Sequence, residues 1–216
     1  MKILFIGNSY TYVNDMPKIF EALCRDNQRD VSVTSVVHGG HKLYQYVDCD
    51  DKYRAMLDEA IAADRYDLCF LQEQSFLPLS DYELFFSGVS RLIDKVRPTA
   101  NAFMLYETWG RKEGHPTLEE FGWTNESMTF DLAAAYKKAG EALNIPVSYV
   151  GLNFYKIYTE HPEIELYHED KTHPSWAGSC LAALTHYHTV FGSLPEDLSS
   201  LKLDKNTLSA FCALFN

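Results

Sequence analysis

A chain of 216 residues, 46% of them hydrophobic, is long enough for one domain of ordinary to large size that buries roughly 70% of its extended surface. It therefore needs no disulfide or metal to fold, and the five cysteines, Cys24, Cys49, Cys69, Cys180 and Cys212, lack paired spacing, as reduced thiols do; Cys49 stands in a polar stretch and is expected to be exposed. A net charge of −11 disfavours nucleic acid and anionic membranes as partners, no run approaches the ~20 apolar residues of a membrane helix, and residues 3–6 are too short a run for a signal peptide, so the chain as given reads as cytoplasmic.

Along the chain, strand and helix patterns alternate. Residues 2–6 form a short apolar run, as in a buried parallel strand. Asp15 can cap a helix that has Pro17 in its first turn and Ile19, Phe20 and Leu23 on its apolar face. Residues 31–37 are β-branched and alternating, and break at His38-Gly39-Gly40. A helix is expected over 51–63, with Met56, Leu57, Ala60 and Ile61 on one face. Residues 66–72 read as the next strand, ending in Gln72-Glu73-Gln74-Ser75, and 81–97 as a helix that Pro98 stops. A fourth strand over 100–107 is followed by a glycine-containing connection, 108–128, that reads as a lid or a surface excursion. Then come a helix over 131–143, a fifth strand over 146–150 and a helix over 175–191. Leu208, Phe211, Cys212 and Phe215 mark a last amphipathic helix, appended within the final roughly 25 residues of a single domain spanning 1–216. Five strands separated by helices imply an α/β fold with a five-stranded parallel sheet covered on both faces. Reactive groups in such folds gather at the carboxyl ends of the strands, where Ser9, Gly40 and Gln72 fall.

Serine needs a neighbouring base, and the base a partner that fixes its tautomer. Ser9 follows the first strand directly, and Asp170 lies three residues before His173 in a polar loop, so nucleophile, base and orienting carboxylate are all present. Acyl transfer also needs donors for the developing oxyanion. The Ser9 N–H, the Gly39-Gly40 backbone and the amides of Gln72 and Gln74 are the candidates, the two glutamines sharing a side if the third strand continued. Tyr10, Tyr12, Tyr106 and Trp109 crowd the same edge, with Trp123 and Trp176 as further candidates, and core packing is the commoner role for any single one of them. Sugar rings stack on such faces, and Trp109, just past the fourth strand, is the best placed of them to line a pocket. Glu73 and Glu107 offer a carboxylate pair for glycosidase chemistry, a weaker reading. The remaining histidines follow no metal-ligand pattern, and no metal or cofactor is expected.

These blocks together resemble the SGNH (GDSL-type) hydrolase superfamily. The resemblance rests on Gly7-Asn8-Ser9 after an apolar strand, a glycine after the second strand, a polar amide after the third and Asp170-x-x-His173-Pro174-Ser175, and it spans residues 2–190. It implies a flavodoxin-like three-layer α/β/α sandwich and esterase or deacetylase chemistry, with Ser9 as nucleophile, His173 as base and Asp170 as its orienter. Gly40 matches the family's oxyanion glycine, with Gly39 as the alternative. The third block departs from the usual glycine followed two residues later by asparagine. Leu71-Gln72-Glu73-Gln74-Ser75 is similar to the glutamine variant of some carbohydrate acetylesterases, which favours Gln72 as the side-chain donor, with Gln74 next. The expected substrate is a small-molecule or glycan ester. The competing readings are a catalytically silent scaffold that binds a glycan in the same cleft, and a flavin or nucleotide module in which residues 7–11 cradle a phosphate.

Overall fold

The structure, a computed structural model, describes residues 1–48 and 52–215, so Cys49 lies outside the described residues. Five parallel strands, β1 (Lys2–Gly7), β2 (Ser32–Val37), β3 (Leu68–Leu71), β4 (Phe103–Glu107) and β5 (Val147–Tyr149), stand in the order β2-β1-β3-β4-β5. Strand alternation sends Ile3, Phe5, Phe70 and Tyr106 into one core with the helices Met16–Asp26, Val150–Glu160 and Trp176–Phe191. Leu4, Ile6, Cys69, Leu71 and Leu105 enter the other, against Lys52–Ala63, Tyr82–Val96 and Asn125–Leu143. Burial on both faces is why the strands read as continuous apolar runs. The result is the three-layer α/β/α sandwich with the flavodoxin-like strand order. Its switch point, where successive connections leave to opposite sides, lies beside β1, and the crevice there opens at the strands' carboxyl ends.

Several boundaries differ from the sequence reading. Residues 108–128 are no open lid: they hold the short helix Pro116–Phe121, and the next helix starts at Asn125, where Thr124 and Ser127 form a capping box. The fifth strand is only three residues long, and the helix Val150–Glu160 follows at once, with Val150, Phe154 and Ile157 buried. That helix was missed because its first turn counts equally well as strand. Asp15 does precede the helix Met16–Asp26, but with a left-handed backbone (φ 55°), and its side chain caps nothing. The tail forms Lys205–Ala213, capped by Asp204, and Phe211 enters the first core. Among the described residues no helix is long and apolar enough to cross a membrane.

The carboxyl edge of the sheet carries two wholly buried acids. Glu107, at the end of β4, accepts the Gly151 N–H at 2.5 Å, and burial pushes its carboxyl well above the usual carboxylate range. Glu73 accepts N–H bonds from Leu43 at 3.1 and 3.2 Å and from Gln74 at 2.6 Å. Burial pushes it up to about 8, against the lowering effect of those same bonds and of the Lys42 charge. Both acids are committed to backbone donors inside the protein, and the weaker glycosidase reading of this pair is set aside.

Two measurements check this packing. A Cβ on Gly151 would meet the Thr108 carbonyl oxygen at 2.2 Å and Glu107 Oε1 at 2.4 Å. Gly151→Ala is therefore expected to cost about 3 kcal/mol and lower the melting temperature by about 6–12 °C, read by calorimetry. Glu73 keeps its proton in the folded state up to about 8, whereas the unfolded chain loses it near 4.5. Between those values the native state holds the extra proton, so stability falls as pH rises. The slope of melting temperature against pH over that window is expected to be shallower in Glu73→Gln than in the wild type.

Candidate active site

Ser9 owes its position to the way β1 ends. The chain leaves β1 at Gly7 and turns into the short helix Ser9–Tyr12, with Asn8 as its cap. Asn8 N–H and Thr11 Oγ1–H both donate to Gln72 Oε1 at 2.9 Å. Gly7 makes room for this: a Cβ there would sit 2.7 Å from the same oxygen and 2.6 Å from Thr11 Oγ1. The Asn8 side chain accepts from Tyr10 N–H at 3.2 Å and donates to the His41 carbonyl at 2.9 Å, fastening the loop after β2 to the serine turn. Thr11 and Tyr12 N–H groups both donate to the Asn8 carbonyl. Of the amides from Asn8 to Tyr12, only that of Ser9 has no acceptor among the described residues. The phosphate-cradle reading is thereby corrected, because a cradle needs several converging amides and every one from Asn8 to Tyr12 but that of Ser9 is already bonded within the protein.

Some 160 residues later the chain returns as a tight loop. Tyr167 and Pro174 form an antiparallel bridge around it, and Lys171 takes a left-handed conformation (φ 61°) at its tip. Asp170 Oδ1 accepts from the N–H groups of Thr172 (3.0 Å) and His173 (2.9 Å), while Oδ2 lies 2.5 Å from His173 Nδ1. Burial works to raise the Asp170 carboxyl, but the hydrogen bond from the His173 ring and the two from backbone outweigh it and hold it down to about 2. An ionised carboxylate only accepts, so Nδ1 carries the imidazole proton. Nε2 is then free to accept from Ser9 Oγ, 2.8 Å away. The structure thus brings Ser9, His173 and Asp170 into one line.

Ser9 and His173 open onto a cleft of about 190 Å³ whose walls include Gly40, Gln74, Tyr10 and Arg111. Gly40 turns through φ 70°, a glycine conformation, in the loop held by Asn8 at one side and by Glu73 at Leu43. Gly39 stands beside it, outside the lining, with the Tyr12 hydroxyl 3.0 Å from where a Cβ would lie. Gln72, the favoured side-chain donor from sequence, is not placed for that role. It is buried, its Oε1 pins the serine turn, and its Nε2 donates to the Glu73 carbonyl. Gln74 stands at the cleft instead. Its Oε1 accepts from Phe76 N–H (3.2 Å) and Leu77 N–H (3.1 Å), and its Nε2 donates one N–H to Ser75 Oγ at 3.3 Å, which leaves the second N–H as donor.

Trp109 is likewise corrected from pocket wall to core. It is fully buried, stacked between Tyr10 (4.4 Å) and Phe154 (4.1 Å), and its Nε1–H donates to the Thr172 carbonyl at 3.0 Å. Tyr10, nearly buried, still reaches the cleft, and its hydroxyl shares a 2.6 Å hydrogen bond with Thr172 Oγ1. Tyr106 is core as well. The residue that sequence reasoning passed over is Arg111, which lines the cleft and donates to Thr172 Oγ1 at 2.8 Å and Ser75 Oγ at 3.1 Å. Its signal was a single basic residue two positions after Trp109, at the carboxyl end of β4. Among the described residues no three His, Cys, Asp or Glu side chains gather as metal ligands.

Family models match nothing in the sequence. Curated proteins return no match either. Solved structures do match. A protein from Slackia heliotrinireducens, provisionally described as an SGNH hydrolase, is 28% identical, with a TM-score of 0.77 over 88% of this chain and 98% of its own. A DUF4886 family protein from Bacteroides uniformis is 17% identical, with a TM-score of 0.84 over 100% of this chain and 93% of its own. An acetylxylan esterase from Geobacillus stearothermophilus is 16% identical, with a TM-score of 0.59 over 88% and 94%; these last two share the fold. By strand order, by the blocks after β1, β2 and β3, and by its likeness to the Slackia protein, the chain belongs to the SGNH hydrolase superfamily.

Proposed function

We propose that this protein hydrolyses carboxylic esters of short acyl groups through an acyl-enzyme on Ser9. The observation that carries the reading is the line from Ser9 Oγ through His173 to the ionised Asp170. His173 Nε2 takes the Ser9 proton as Oγ adds to the ester carbonyl. The oxyanion falls to the Ser9 N–H, the Gly40 backbone and the Gln74 amide. The C–O bond to the alcohol breaks as His173 returns the proton to the leaving oxygen. Water, deprotonated by His173, then releases the acid and restores Ser9.

Two features bear on the substrate. The cleft, about 190 Å³, is well below the range of roughly 300–1,000 Å³ usual for drug-sized ligands and suits an acetyl or similarly short chain. On the alcohol side a carbohydrate remains in reach through Tyr12, exposed and beside Gly39, while Trp109 and Tyr106 are withdrawn into the core.

The test is hydrolysis of 4-nitrophenyl acetate and butyrate. The wild type is expected to turn over acetate faster than butyrate, and Ser9→Ala and His173→Ala to lose about 10⁴-fold or more in kcat. Unchanged turnover in Ser9→Ala defeats the proposal, and a folded wild type inert to esters and to fluorophosphonate labelling favours the silent scaffold. The two glutamines are expected to separate. Gln74→Ala loses about 10²–10³ in kcat, as for a single oxyanion donor, with a small fall in melting temperature, because its Oε1 also serves the part-buried Phe76 and Leu77 N–H groups. Gln72→Ala lowers the melting temperature more, because it leaves the buried Asn8 N–H without an acceptor.

A further inference from the structure

Arg111 has no place in the chemistry just described, yet it forms part of the wall facing Ser9 and His173. Its side chain is about nine-tenths buried, with 9% of the residue exposed. A cation at such depth is costly unless an anion or a full set of acceptors answers it. Among the described residues no carboxylate pairs with it. Asp170, the ionised acid of the same neighbourhood, is bonded to His173 and to the Thr172 N–H. A guanidinium has five N–H donors; two of its contacts reach acceptors, Thr172 Oγ1 and Ser75 Oγ, and a third meets the His115 ring at Nε2. Buried Nε has none.

The His115 contact adds a second sign. His115 Nδ1 accepts the Thr117 N–H at 3.1 Å, so a neutral ring carries its one proton on Nε2. That places an N–H donor against the Arg111 NH1 donor at 3.0 Å. Two donors meet where an acceptor is wanted. The loop itself is held by Arg111 at the Thr172 and Ser75 hydroxyls, which neutral donors serve equally well, and the one contact that favours a charge is the Phe76 ring 5.5 Å from the guanidinium carbon, a partner that leaves the N–H donors free. The position itself is firmly held: Arg111 N–H donates to Met128 Sδ at 3.4 Å and its carbonyl accepts from Asn125 Nδ2 at 2.9 Å.

We propose that Arg111 is an anion-recognition group, and that the ester taken by this cleft carries a carboxylate on its acid or its alcohol half. The proposal rests on the reading of the cleft as an ester-hydrolysing site and narrows its substrate class. A single carboxylate suits both the small cleft and a chain whose net charge of −11 repels polyanions.

The experiment compares matched pairs. Mono-4-nitrophenyl succinate against 4-nitrophenyl butyrate puts the charge on the acid half; 3-acetoxybenzoate against 3-acetoxybenzamide puts it on the alcohol half. The quantity read is the ratio of kcat/KM within each pair, in which any general loosening of the Thr172 loop cancels. The wild type is expected to prefer the charged member of one pair by about ten- to hundredfold. Arg111→Gln removes that preference, and Arg111→Lys, which keeps the charge, retains part of it. A ratio near one in both pairs of the wild type, or a preference equal in wild type and Arg111→Gln, overturns the proposal. If no ester is cleaved at all, ester hydrolysis fails first and Arg111 is judged by calorimetric binding of benzoate against benzamide. A benzoate preference lost in Arg111→Gln sustains the anion site, and equal binding ends it.

Discussion

One amide oxygen holds the working edge of this protein together. Gln72 Oε1 accepts from Asn8 N–H and Thr11 Oγ1–H and so ties the end of β3 to the turn that carries Ser9. The bond is possible only because β1 and β3 are neighbours in a parallel sheet and because Gly7 leaves space beside them. Asn8, fixed in this way, holds the His41 carbonyl, and Glu73, the next residue after Gln72, holds Leu43. The loop after β2 is thus set by bonds that begin at β1 and β3. A nucleophile displaced by about 1 Å can lose two orders of magnitude in rate, so this scaffolding is as much a part of the site as the serine.

The other half of the site comes from a distant part of the chain and must be brought back to register. Stacking does most of this. Phe154, Trp109 and Tyr10 form a continuous pile, and the last two reach Thr172 through an indole N–H and a phenol hydroxyl. Asn14 seizes the far end of the loop at the Pro174 and Ser175 carbonyls, and Ser175 caps the helix Trp176–Phe191. Asp170 and His173 are therefore held between a core stack and a helix start. The rigid pairing allows an acid near the surface to stay ionised and to dictate the tautomer of its neighbour.

The pattern of legibility follows from these physics. Ser9, Asp170 and His173 could be read because each lies in a short local segment whose neighbours define its geometry. The parallel sheet could be read because strands buried on both faces spell uninterrupted apolar runs. The choice between Gln72 and Gln74 could not, since it was argued by strand alternation and the chain leaves the sheet at Leu71, where alternation stops. Trp109 was misplaced for a related reason. Whether a residue just past a strand faces solvent or core depends on what covers it, and the cover is Phe154, on a helix hidden behind a three-residue strand. Arg111 carried no local pattern at all. Its meaning is wholly tertiary, given by Ser75, His115 and Thr172.

Three acids crowd the same edge of the sheet, and their surroundings sort them. Glu107 and Glu73 are buried among backbone donors too few to sustain a charge, and burial drives both toward the neutral form. Asp170 gathers two backbone N–H bonds and the imidazole at a partly exposed site, and it alone is driven down. A cleft that kept all three ionised would repel an ester bearing a carboxylate and would raise the energy of the oxyanion. With two of them neutral, the ionised acid of this edge is Asp170, which is bonded to His173 and lies outside the cleft wall, while Arg111 is the charged residue within that wall. An acidic protein can in this way keep a cation in the wall of a small cleft, where the few nearest charges outweigh the screened many on the surface.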